Sequence, residues 1–102
     1  MVDFFFYGTL CHLPLLTRVL GRTVDATPAT LPDHAVYWAK DHAFPLIVAE
    51  AGKTAHGLLV RGMTEADVAR LDFYEGGFAY HTRDLPVQAG GAAVTARVYF
   101  AD

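Results

Sequence analysis

The sequence predicts a single α+β domain over residues 1–102: a small mixed β-barrel with flanking helices. Three observations predict it. The chain has 102 residues, 53% of them apolar and 13% aromatic, enough for one well-filled core and too few for two. Runs with the β-branched and aromatic character of strands outnumber the helical ones. The order reads strand, helix, several strands, helix, two strands, which suits a strongly curved sheet with its helices outside.

Each element has its own signal. Val2 to Tyr7 is a short aromatic and β-branched run closed at Gly8, the pattern of an interior strand ending in a tight turn. Pro14 suits a first helical position, Leu15, Leu16, Val19 and Leu20 recur at helical spacing, and Gly21 ends the helix. Arg22 to Leu31, with Pro28 among several Thr and Ala residues, predicts an irregular connection. Strands follow at Ala35 to Ala39 and Leu46 to Glu50, separated by Lys40 to Pro45. Ala55 to Arg61 comes after an Ala51-Gly52-Lys53 turn, as a hairpin would.

Thr64-Glu65-Ala66-Asp67 has the form of an N-cap with a carboxylate three residues on, and Val68 and Leu71 continue as the buried stripe of a second helix. Gly76 and Gly77 end that helix. Tyr80 to Val87 and Ala92 to Ala101 read as two more strands about the Ala89-Gly90-Gly91 turn. The last strand runs to the end of the chain, which also suits the leading domain of something longer.

Charge narrows the functional classes. A net charge of −3, with both signs scattered, makes no basic surface to attract a phosphate backbone or anionic lipid, so neither nucleic acid nor a membrane is the expected partner. The apolar stretch Val2 to Leu10 is interrupted by Asp3 and is too short to cross a bilayer or to act as a signal segment. The lone Cys11 forms no disulfide within the chain, and neither Cys pairs nor a His-x-x-x-His spacing suggests zinc, so a cytoplasmic protein without a metal is expected.

Two places can carry chemistry. A strand running into Tyr7-Gly8-Thr9-Leu10 ahead of a helix can aim several backbone N–H groups at one point and favour an anion there. By itself the tetrapeptide is more simply a strand-ending turn with an aromatic ring beneath it. Three or four residues beyond Leu71 the buried stripe reaches Tyr74 and Glu75, putting a carboxylate where an apolar side chain would be expected. It also sits at the negative end of a helix. Partial burial among Phe73, Tyr74 and Phe78 would raise its pKa, as suits a group that takes and returns a proton near neutrality. An exposed glutamate at a frayed helix end is the competing reading.

Taken together, Phe6-Tyr7-Gly8-Thr9-Leu10 and Leu71-Asp72-Phe73-Tyr74-Glu75-Gly76, with Tyr80 and Arg83 downstream, resemble the gamma-glutamyl cyclotransferase-like family. Within it the likeness is to the gamma-glutamylamine cyclotransferase branch, with its Tyr-Gly-Thr-Leu turn and Asp-x-aromatic-Glu-Gly segment. It runs through most of the chain, strong at these two segments and otherwise a matter of strand pattern, with Phe44-Pro45 as one further local match. The resemblance implies a small mixed barrel and a reaction needing neither metal nor organic cofactor, in which the α-amine of a gamma-glutamyl group attacks its own side-chain carbonyl. The attached amine leaves and 5-oxoproline remains.

On that reading Glu75 is the acid/base residue, and Gly8 to Leu10 supply backbone donors to a small gamma-glutamyl substrate. Tyr7 belongs to the same binding turn. Tyr80 and Arg83 lie at a spacing that sends their side chains to opposite faces of a strand. Tyr80 is the one expected to face the pocket and hydrogen-bond the carboxyl, while Arg83 pairs with a surface acid such as Asp84 or Asp72.

The sequence also departs from the branch. Cys11-His12-Leu13-Pro14 stands where a basic, glycine-containing stretch is usual, and Gly77-Phe78-Ala79 is a plain linker. Cys11 is read as a small packed residue rather than a nucleophile, and His12 as solvent-facing or a helix cap. His34, His42, His56 and His81 have no ligand spacing. Asp72 is read as a solvated helix residue, and Tyr37 and Trp38 as core and pocket wall. Two alternatives to an enzyme are a ligand-binding or regulatory module at the front of a longer bacterial protein, as in the Nudix-fused tellurite-resistance type, and a domain that mediates protein contacts. The oligomeric state is open.

Overall fold

The β1 strand, Val2–Phe6, explains why the N-terminal apolar run does not alternate: Phe4, Phe5 and Phe6 are all buried. Phe5 points into one hydrophobic core with Leu31, Leu59, Val87 and Val98. Phe4 and Phe6 point the other way, into a second core with Leu16, Leu20, Met63 and Leu71. A strand between two cores needs apolar side chains on both faces. The computed structural model of the chain describes residues 1–38, 45–75 and 80–101.

After a single 3-10 turn, Thr9–Cys11, helix α1 covers Leu13–Leu20. Pro14 lies in its first turn and Gly21 ends it with φ 76°, the left-handed conformation that glycine adopts without a Cβ clash. Leu16 and Leu20, one turn apart, enter the second core. Helix α2, Glu65–Glu75, opens with the predicted box: the Asp67 N–H donates to the Thr64 hydroxyl at 3.2 Å and the Thr64 N–H to Asp67 Oδ2 at 3.0 Å.

The remaining strands are β2, Ala26–Trp38; β3, Pro45–Met63; β4, Tyr80–Ala89; and β5, Ala92–Ala101. They hydrogen-bond in the order β1-β3-β2-β4-β5, and β5 returns to β1 in parallel, closing the sheet. The two closing seams are slender, Phe4 to Arg97 between β1 and β5 and Thr30 to Gln88 between β2 and β4. The mixed α+β class therefore holds. The β4–β5 hairpin is as read, with Gly90 and Gly91 at φ 58° and 81°, both positive as its two-residue turn requires. Among the described residues no helix is long and apolar enough to cross a membrane.

Two local readings fail. Residues 26 to 31 are not an irregular connection; β2 runs through them and pairs Ala26–Leu31 with Val60–Ala55 of β3. Nor does Ala51-Gly52-Lys53 reverse the chain. β3 continues through it, and the register against β2 shifts between Pro32 and His34, where Gly52 takes φ 82° and Asp33 φ 59°. The Gly52 N–H donates to Asp33 Oδ1 across this bulge at 3.1 Å. A bulge bends two paired strands together and leaves them antiparallel. All of the predicted Lys40 to Pro45 connection except Pro45, which opens β3, the Gly76-Gly77 helix stop and the Gly77-Phe78-Ala79 linker lie outside the described residues.

Candidate functional site

The exit of β1 and the end of α2 face each other across a cavity of about 210 Å³. One wall is the turn Tyr7 to Leu10, and another is Tyr74 and Glu75 at the last turn of α2. Pro45, at the start of β3, Tyr80, at the start of β4, and Tyr99 of β5 complete the enclosure with Phe5 and Phe6. The residues singled out from the sequence, Tyr7, Gly8, Thr9, Leu10, Glu75 and Tyr80, thus share one hollow.

The turn is shaped by its own bonds. Cys11 N–H donates to Gly8 O at 3.0 Å and His12 N–H to Thr9 O at 3.1 Å. The 3-10 turn therefore uses its first donor at Cys11, and the N–H groups of Thr9 and Leu10 precede any donor it can satisfy internally. Gly8 gives Pro45 room, since a Cβ there would stand 3.2 Å from the proline Cγ. The Tyr7 hydroxyl donates to Tyr99 O at 2.6 Å, tying the turn to the strand on the far side. Leu10 is buried in the core below. Thr9 Oγ1 lies 3.4 Å from the Tyr74 hydroxyl and bridges the turn to α2.

Glu75 is half-buried and hydrogen-bonded to the Tyr80 hydroxyl. Burial pushes its carboxyl above the ordinary carboxylate range, and the Tyr80 hydrogen bond acts in the opposite sense. The phenols respond in kind: burial and the nearby Glu75 charge push Tyr80 up to about 12. Tyr7 and Tyr99 are raised as well, chiefly by burial. All three remain protonated at neutral pH, so each offers an O–H donor. The Tyr99 hydroxyl gives its own to Asp72 Oδ1 at 2.7 Å, and its ring packs edge-on against Tyr80 at 5.9 Å. The site is thus a glutamate held among tyrosines, opposite a turn rich in main-chain donors. Such an arrangement can bind an anionic head group and pass a proton.

The assignments of Asp72, Arg83, Tyr37 and Trp38 need correction. Asp72 is not merely solvated, because it accepts from Tyr99. Arg83 pairs with neither Asp72 nor Asp84; its guanidinium lies over the Phe100 ring at 5.3 Å, and Asp84 faces Arg97 at 3.7 Å. Tyr37 and Trp38 are not core residues, being 47% and 69% exposed, and the Tyr37 hydroxyl donates to Glu50 at 2.5 Å. Cys11 is half-buried, its Sγ–H donates to Phe6 O at 2.9 Å, and burial raises its thiol pKa, the opposite of an activated thiolate. His12 occupies the N-cap position of α1 without a side-chain capping bond.

Sequence reasoning did not place Pro45 or Tyr99 in the site. Pro45 carried only a local likeness. For Tyr99 the signal would have been its register in β5 beside β1, which no local pattern contains.

Comparison with known proteins agrees with this fold. The Arabidopsis thaliana protein named Protein AIG2 C is 29% identical over 72 residues, which is 71% of this chain and 44% of that protein. A solution structure of an Arabidopsis thaliana protein superposes with a TM-score of 0.87 at 24% identity, covering 98% of this chain and 61% of the other. A solved structure named Gamma-glutamyl cyclotransferase gives a TM-score of 0.80 at 17% identity, covering 99% and 66%. The chain therefore spans less than half of the curated relative's length, while nearly all of it superposes on part of each of these two structures. Residues 4–102 match the family described as gamma-glutamyl cyclotransferase, AIG2-like, and this chain belongs to that family.

Proposed function

We propose that the protein is a cyclotransferase-type enzyme that converts a small gamma-glutamyl amine or peptide to 5-oxoproline and the free amine, with Glu75 as its acid/base residue. The observation that carries this is the placement of a half-buried, tyrosine-bonded glutamate across a small cavity from the Gly8 to Leu10 turn. In the reaction the substrate's α-ammonium gives a proton to Glu75. The freed amine nitrogen bonds to the γ-carbonyl carbon, the bond from that carbon to the attached nitrogen breaks as Glu75 returns the proton to the departing nitrogen, and the second proton shed by the new ring nitrogen passes by way of Glu75 to the same amine, which leaves as an ammonium. Atoms and charges balance without an outside reactant.

The residues suit the steps. A carboxyl with its pKa raised by burial is a better proton carrier between two nitrogens than an exposed one. Thr9 and Leu10 N–H groups would donate to the substrate's α-carboxylate or to the oxyanion. Tyr80 would hold the Glu75 carboxyl in line. The Tyr-Gly-Thr-Leu turn and Asp72-Phe73-Tyr74-Glu75 favour the gamma-glutamylamine branch.

The test is incubation with a panel of gamma-glutamyl amines and dipeptides, with 5-oxoproline quantified by mass spectrometry. Glu75→Gln should lower product formation at least 100-fold, the lower end of what positioned proton transfer contributes, with an unchanged circular dichroism spectrum. An unaltered rate in this variant would sink the assignment. Absence of turnover by the wild type across the whole panel would favour a non-catalytic ligand-binding role for the same cavity.

A further inference from the structure

Asp72 and Glu75 are three residues apart on α2, neighbours on one side of the helix, and each reaches a tyrosine of the sheet. The Tyr99 hydroxyl donates to Asp72 Oδ1 at 2.7 Å, and Glu75 is hydrogen-bonded to Tyr80. The two rings are themselves neighbours. Thr82 of β4 pairs with Tyr99 of β5, so Tyr80 stands diagonally across the ladder from Tyr99, with the ring centroids 5.9 Å apart. Tyr99 is the fixed member of this group. It is 7% exposed, its ring stacks on Phe4 at 5.6 Å, and its main-chain carbonyl accepts the Tyr7 hydroxyl at 2.6 Å.

The end of α2 needs such a post. After the buried Leu71 come Asp72, Phe73, Tyr74 and Glu75, two carboxylates and no basic side chain at the negative end of a helix, where charge of that sign promotes fraying. Packing gives little help, because Phe73 is 90% exposed and the Tyr74 hydroxyl lies 3.4 Å from Thr9, a long contact. The bond from Tyr99 has the length of a charge-assisted one. It ties the last turn to a residue set by the core. A reacting group misplaced by about 1 Å can lose about a hundredfold in rate, so such a tie bears on chemistry as well as on stability.

We propose that Asp72 is a positioning residue for Glu75: by accepting the Tyr99 hydroxyl it pins the last turn of α2 to β5 and sets where the Glu75 carboxyl stands opposite the Gly8 to Leu10 turn. This deepens the cyclotransferase reading, on which it rests. Asp72 is not among the residues lining the cavity, whereas Tyr99 is, so Asp72 acts through Tyr99 and the helix.

Three variants test the pin. Asp72→Ala removes the acceptor, Tyr99→Phe removes the donor and keeps the ring, and Asp72→Asn removes the charge but keeps an amide oxygen that can still accept. With a gamma-glutamyl amide as substrate, Asp72→Ala should lower kcat about tenfold and change KM less than about twofold. Combining it with Tyr99→Phe should cost no more than the slower single variant, because both act through one bond. Asp72→Asn should keep kcat within about threefold of wild type, since the bond survives the loss of charge. The acid limb of kcat/KM should move toward the ordinary carboxylate range in Asp72→Ala, where a Glu75 loosened into water loses the burial that raises its pKa, and should stay in place in Asp72→Asn. Hydrogen exchange followed by NMR gives a readout independent of turnover. The amides of Asp72 to Glu75 should exchange about tenfold faster in Asp72→Ala, while those of β5 keep their protection.

Wild-type kcat in Asp72→Ala, unchanged exchange of the last turn, or equal kcat losses in Asp72→Ala and Asp72→Asn overturns the positioning inference and leaves the cyclotransferase reading standing. Faster exchange of the last turn in Asp72→Ala, with no 5-oxoproline formed by the wild type from any gamma-glutamyl substrate, overturns that reading and leaves the pin.

Discussion

The ion pair between Asp67 and Arg22 anchors the helix that carries Glu75, and replacing Asp67 with Asn measures that anchor. Asp67 is 1% exposed. It accepts from Arg22 Nε at 3.2 Å and Nη2 at 2.5 Å, and from the Thr64 N–H at 3.0 Å. Asparagine keeps the shape and can still accept from Thr64, but it turns an amide donor toward a guanidinium. A charge-assisted hydrogen bond contributes about 1.5–3 kcal/mol, and severing a fully buried pair costs about 3–5 kcal/mol. The Arg22 side chain is 45% exposed and can rehydrate. The expected loss is therefore about 2–3 kcal/mol, a large part of a typical domain's 5–15 kcal/mol.

Urea unfolding at neutral pH, followed by far-ultraviolet circular dichroism, reads this as a lower midpoint at unchanged slope. Thr64→Ala, which removes only the hydroxyl cap, should cost about 1 kcal/mol. The pH dependence has a definite sign. The Arg22 hydrogen bond, joined by the Thr64 bonds, lowers the Asp67 pKa from 3.8 to about 2. The stabilisation is then fully present above pH 3.8 and is lost as pH falls toward 2. The gap between wild type and Asp67→Asn should close over that window. A loss under about 0.5 kcal/mol at pH 7, the range of ordinary surface changes, would refute the anchoring argument.

Two further expectations concern the cavity. Because burial raises the Glu75 pKa while Tyr80 opposes it, kcat/KM for a gamma-glutamyl amide should climb with pH through a midpoint above the ordinary carboxylate range. Tyr80→Phe should move that limb higher still; a limb that stays in place would remove Tyr80 from the site. A Cβ at Gly57 would stand 2.1 Å from Phe6 O and 2.9 Å from the Phe5 ring. Gly57→Ala should therefore cost about 3 kcal/mol or more in urea unfolding, and a stable variant would contradict the close approach of β3 to β1 at that point.

Elements set by neighbours in sequence were legible. Pro14 and Gly21 bracket α1, Thr64 and Asp67 open α2, and Gly90-Gly91 turns β4 into β5, because each signal and its consequence lie within a few residues. Gly52 misled because positive φ serves a reversing turn and a bulge alike, and only the partner strand tells them apart. That partner was itself hidden by Pro28, which normally argues against a strand interior. The site divides in the same way. Glu75 could be picked out as a charge on an apolar stripe, and its neighbours in the turn came from a family resemblance. Asp67 was read as a cap alone, because Arg22 is 45 positions away. Tyr99 was missed because its place depends on closure of the whole sheet.

The Tyr7 to Tyr99 hydrogen bond joins residues 92 positions apart. The floor of the cavity therefore comes from opposite ends of the described fold and exists only after β5 has docked alongside β1. A partly folded chain, even one with α2 formed and Glu75 in place, has a carboxylate without a chamber around it. Ligand binding at this site is in effect a gauge of completed folding: any lesion that loosens the last strand should abolish recognition before it dismantles the helices.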